Sequence, residues 1–159
     1  MKRIVFLAAA MIAFGAQAQT KPGQPPAPSA NPQLVRPLAE RSDIVSWKLL
    51  AQVELVKVKD RYVPQFASSV AALDAKEVKV QGFMMPLEMG DKQSHFILAA
   101  MPQDCAFCMP GGPEQLVEVR SKRPVAYGME PIVLTGRLAV LKDDPTGVFY
   151  RLTDAVPAK

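Results

Sequence analysis

Polar and apolar residues alternate with a period of two over residues 78–85. Val78, Val80, Gly82 and Met84 interleave there with Lys79, Gln81, Phe83 and Met85. Alternation of this kind sends successive side chains to opposite faces and predicts a β-strand. The internal Gly82 predicts a bend or bulge within it. Met89-Gly90-Asp91 reads as a turn, and residues 95–101 form a second, more apolar strand. Residues 115–120, QLVEVR, make a third strand, and 131–141, PIVLTGRLAVL, a long fourth with its own internal glycine, Gly136. KDDPTG at 142–147 has Asp, Pro and Gly where a turn needs them, and VFYRL at 148–152 is the fifth strand of the series.

Upstream the pattern is less regular. Residues 53–58, VELVKV, favour a strand, whereas Trp47 to Leu50 fit strand or helix equally. Asp60-Arg61 is a turn. Phe66, Val70 and Leu73 recur at helical spacing and predict one short helix with those three on its apolar face. The chain is therefore mainly β: a small OB-like five-stranded barrel with one short helix, because long coiled strands with internal glycines suit barrel closure. A β-sandwich is the alternative.

The ends divide the chain further. Lys2 and Arg3 precede an apolar run from Ile4 to Gly15 and the small-x-small site Ala16-Gln17-Ala18. This is the pattern of a signal peptide at 1–18, and the run is shorter than the ~20 residues of a spanning helix. The expected location is the periplasm, with no membrane span after cleavage. Residues 19–42 read as a proline-rich disordered linker, with six prolines between 21 and 37, and 43–159 as a single barrel domain. Without Lys2 and Arg3 the net charge of +4 falls to +2, and no basic cluster points to nucleic acid.

Candidate chemistry is concentrated between residues 84 and 109. This window holds Met84, Met85, Met89, Met101 and Met109, the only histidine, His95, and both cysteines, Cys105 and Cys108. Thiolates and thioethers suit copper(I), and thiolates with imidazole suit zinc. The expected metal ligands are Cys105, Cys108, His95 and Met109. Each also has a plainer role: methionines fill strand cores, a lone histidine packs, and C-x-x-C closes a small disulfide loop. A thioredoxin-like thiol pair fits less well. Pro110-Gly111-Gly112-Pro113 denies it a following helix, and the acidic Asp104 opposes a thiolate. No catalytic constellation is apparent. Asp143-Asp144 reads as turn chemistry, and Glu114 and Glu118 read as solvated positions.

The stretches VKVQGFMMPLE, HFILAAMPQDCAFCMPGGPEQLVEV and VLTGRLAVLKDDPTGVFYRLTDA together resemble the bacterial DUF3299 family over about residues 43–156. The resemblance implies an exported, OB-like domain with no established reaction. It implies a cysteine followed by histidine in the loop of some members, an exchange a metal site tolerates. It also implies an accessory role beside an exported or inner-membrane transporter component. The functional expectation is a non-enzymatic periplasmic domain that binds zinc, copper or such a partner through the C-x-x-C loop. The alternatives are an interaction module with a Cys105–Cys108 disulfide and a thiol–disulfide oxidoreductase.

Overall fold

The computed structural model describes residues 38, 40–102 and 111–159. Five strands close into a barrel: β3 (Glu77–Pro86), β4 (Lys92–Ala99), β5 (Leu116–Ala126), β6 (Ile132–Val140) and β7 (Tyr150–Pro157), in the spatial order β3-β4-β5-β7-β6. Neighbours are antiparallel except β5 and β7, which run parallel. Before the barrel come the single-turn helices α1 (Trp47–Leu50) and α2 (Ser68–Ala71) and a separate two-stranded sheet of β1 (Val53–Val58) and β2 (Arg61–Phe66). The fold is mainly β with a closed five-stranded barrel, as the alternation predicted, and not a sandwich.

Alternation fills the barrel. Val80, Phe96, Leu98, Val117, Val119, Leu134, Leu138 and Leu152 are all fully buried, and each aliphatic or aromatic side chain so buried contributes about 1.5–3 kcal/mol. Gly82 is where β3 changes partner. Residues up to Gly82 pair with β6, and from Phe83 onward the strand pairs with β4. A Cβ there would lie 2.6 Å from the Ala99 carbonyl oxygen. Gly136 sits at the register shift between β6 and β7, where a Cβ would lie 2.8 Å from the Thr153 carbonyl oxygen. At both glycines the neighbouring backbone occupies the space a side chain would need.

The end of the barrel where β7 begins is plugged by aromatics. Phe66, Phe149 and Tyr150 stack at centroid distances of 5.7–6.4 Å. The buried Tyr150 hydroxyl donates to the Leu50 carbonyl at 2.5 Å, tying α1 to β7 across the sequence. Burial, with the charge of Glu114, pushes the Tyr150 phenol far above its ordinary value, so it stays a donor. Tyr150→Phe is expected to cost about 1–2 kcal/mol, since it leaves a buried carbonyl unsatisfied. An unchanged urea midpoint would show that the bond contributes nothing.

The irregular N-terminal half departs from the sequence expectation in two places. The helix is shorter than Phe66 to Leu73: only Ser68–Ala71 is helical, and Phe66 ends β2 and joins the aromatic plug. Arg61, expected in a turn, and Phe66, expected to start the helix, are the two ends of strand β2, which forms despite Pro64. Trp47 to Leu50 are helical. The Ser46 side chain caps the Leu49 N–H, and the Trp47 indole donates to the Gln81 carbonyl at 2.8 Å. Among the described residues no helix is long and apolar enough to cross a membrane.

Candidate functional site

His95 reaches the outer wall of the barrel through a local irregularity. Gln93 faces the interior and is fully buried, its amide donating to the Glu88 and Gly90 carbonyls. Strict alternation would send His95 inward as well. The β4–β5 register shifts between Gln93 and His95, so that Phe96 and Leu98 fill the core and His95 faces out beside Arg120, its cross-strand partner. A break in register that re-aims a side chain is a common use of bulges.

On the same outer face lies Glu118, flanked on its own strand by the inward Val117 and Val119. It faces outward yet is only 6% exposed. The reason is a cover of polar side chains. His95 Nε2 lies 2.8 Å from Glu118 Oε1. Arg120 donates to the same oxygen from Nε and Nη2, both at 3.2 Å. Arg151, which the parallel β5–β7 pairing brings directly opposite Glu118, donates from Nε to Oε2 at 2.6 Å. Arg151 Nη2 also donates to Asp144 Oδ2 at 3.0 Å, and Asp144 is held in turn by the backbone N–H and hydroxyl of Thr146.

Burial alone would raise the Glu118 carboxyl. The hydrogen bonds from Arg151, His95 and Arg120 and the Arg151 charge outweigh it, and the group sits below its ordinary value. Asp144 is lowered by its bonds to Thr146 and then by Arg151. Arg151 is raised chiefly by its bond to Glu118. An ionised Glu118 only accepts, so His95 Nε2 carries the proton of this bond, and in the neutral ring the lone pair is on Nδ1. The solvent-facing imidazole therefore has a fixed orientation.

Because both carboxyls titrate lower in the folded chain than in the unfolded one, their contribution to stability is complete above the ordinary carboxylate range, about 4. It is lost as pH falls through the lowered native values. Urea midpoints are expected to drop between neutral pH and pH 3 less steeply in Glu118→Gln than in the wild type. Parallel pH profiles would exclude Glu118 from the effect.

Of the four residues expected to hold a metal, His95 lies on β4 within this cluster, and Cys105, Cys108 and Met109 lie outside the described residues. The signal peptide at 1–18 and all but the last residues of the 19–42 linker also fall outside them. Among the described residues no group of three or more His, Cys, Asp or Glu is placed to hold a metal ion. The described residues on either side of the cysteines are paired with each other. Ala99 pairs with Leu116, and the Ala100 N–H donates to the Gln115 carbonyl at 3.1 Å. That pairing lies on the strands that carry His95 and Glu118, four residue steps from the His95–Arg120 pair, or about 13 Å at the rise of a strand.

Glu118 corrects the expectation of a solvated position: it is the buried centre of an ion cluster. Asp144 does stand in a turn, as its neighbours predicted, and in addition it holds Arg151. Neither role was visible along the chain. The only sequence trace is the opposite charge of Glu118 and Arg151 on two strands, which becomes informative once the strands are known to pair.

The model of the family described as Protein of unknown function (DUF3299) matches residues 27–153. No curated protein matches the chain. Among solved structures, a DUF3299 family protein from Pseudomonas aeruginosa PAO1, determined by crystallography at 2.45 Å, is 22% identical. The match covers 60% of this chain and 68% of that one, with a TM-score of 0.48. The chain belongs to the DUF3299 family.

Proposed function

We propose that this is an exported, periplasmic, non-enzymatic barrel domain that binds one soft metal ion, zinc or copper(I). Cys105 and Cys108 are the thiolate ligands. His95 Nδ1 is the third, and Met109 is the added donor if the ion is copper. The observation that carries this reading is the 2.8 Å bond between His95 and the buried Glu118. A metal-binding imidazole ordinarily donates its other N–H to a carboxylate, which fixes its orientation and raises its basicity. The same proposal includes export, supported by the pattern at 1–18, and a partner in an inner-membrane transporter complex, suggested by the resemblance stated above.

Protein purified under reducing conditions is expected to carry a stoichiometric amount of zinc or copper by elemental analysis. Cys105→Ser should abolish it, and Glu118→Gln should weaken it by about 10–100-fold through the His95 ring. Metal-free protein that cannot be loaded, or a Cys105→Ser variant that loads normally, would overturn the reading.

A further inference from the structure

Outside the barrel, the β1–β2 sheet has only two strands, and among the described residues neither outer edge pairs with a third. Two strands alone are marginal in water, and a third would complete them. The ladder shows which backbone groups are free. Val58 and Arg61 close a two-residue loop, with Lys59 in the left-handed region at φ 55°, and the Ala67 N–H donates to the Gln52 carbonyl. In an antiparallel pair, hydrogen-bonded and non-hydrogen-bonded residue pairs alternate. The bonded pairs are therefore Glu54–Gln65, Val56–Val63 and Val58–Arg61. The pairs Leu55–Pro64 and Lys57–Tyr62 turn their N–H and C=O groups outward.

The two edges are not equivalent. On β2 the outward positions are Tyr62 and Pro64, and Pro64 has no N–H to give, so a ladder along that edge is interrupted. On β1 the outward positions are Leu55 and Lys57, both with free donors and acceptors. The side chains beside this edge are apolar and exposed: Leu55 is 57% exposed and Tyr62, on the same face, 67%. Ion pairs of the described residues use Lys48, Lys79 and Lys122, but neither Lys57 nor Lys59.

We propose that β1 is a docking edge for an extended segment of a partner protein, added as a third strand, with an apolar side chain facing Leu55 and an acidic one facing Lys57. Strand addition takes its affinity from main-chain bonds and its specificity from alternate side chains. Charge selects this occupant. A second copy of the chain, paired so that Leu55 and Lys57 exchange bonds across a two-fold axis, would bring Lys57 of both copies onto one face with no acid between them. The chain's own segment 21–37, with six prolines, lacks the donors a ladder needs.

The test uses the full chain and a short end-blocked peptide in which valine and glutamate stand two residues apart on one face with threonine between them, and a control with lysine in place of glutamate. Saturable binding of the acidic peptide is expected by fluorescence anisotropy, several-fold tighter than the basic one, with amide shifts confined to residues 53–58. Leu55→Pro removes one outward N–H as Pro64 does on β2, leaves the β1–β2 ladder intact, and should abolish binding. No saturable binding, or full binding by folded Leu55→Pro, overturns the proposal. So does a concentration-dependent dimer that Leu55→Pro abolishes. If circular dichroism shows Leu55→Pro unfolded, Lys57→Glu decides: the preference must shift to the lysine peptide, and an unchanged preference overturns the proposal.

Discussion

Arg151→Met is expected to destabilise the protein by about 3 kcal/mol, within the range found when one partner of a buried ion pair is removed. Arg151 is the partner Glu118 depends on most. Among the described residues it supplies the shortest bond, 2.6 Å, and the only one to Oε2. Without it the carboxylate keeps His95 and Arg120 on one oxygen, and the other oxygen loses its partner in a site nearly closed to water. Asp144 loses the guanidinium at 3.0 Å in the same step. The double variant Glu118→Met/Arg151→Met should recover much of the loss, because replacing both charges with apolar groups removes the unpaired charge as well. Urea denaturation of the three proteins reads this directly. A single variant with the wild-type midpoint would mean that water already solvates the cluster.

A loss of similar size is expected from Gly82→Ala, about 2–3 kcal/mol. The added Cβ would meet the Ala99 carbonyl oxygen at 2.6 Å and Leu98 Cγ at 2.8 Å, with the Trp47 ring at 3.2 Å. The first of these is backbone of the strand that β3 is about to join, so relief requires the two strands to separate where β3 exchanges partners. An exposed glycine with open space around it, Gly128, is the control. Gly128→Ala should leave the thermal midpoint within a degree or so, and equal effects at both positions would disprove the steric account.

The barrel strands were legible because each buries one face and shows it as alternation. Val78 to Met85 and Val133 to Val140 are examples, and the two internal glycines stand where β3 changes partner and where the β6–β7 register shifts. What the alternation could not show was strand adjacency. Glu118 looks solvated in VEVR because its cover comes from β4 and β7, and the parallel β5–β7 pairing leaves no local mark. His95 escaped for a related reason: only the register shift after Gln93 turns it outward. Pro64 hid β2, since proline argues against a strand unless its missing N–H falls on a free edge, as it does here. The cysteine window was the clearest chemical signal along the chain, and of its four expected ligands His95 is the one whose surroundings are described.

The order of the strands has a consequence for how this chain folds. The parallel contact that closes the barrel joins Glu118 to Arg151, and β3 at the start must wait for β6, with Val78 facing Gly136. The last strand made is thus the one that seals the sheet between two strands made earlier. While the chain is being synthesised, β5 and β6 each keep an open edge until residues 150–157 arrive. Closure is a late event of high loop-closure cost, which favours slow folding. A chain shortened by β7 alone would retain most of its core residues and still expose two long edges, the arrangement most prone to pair with other chains.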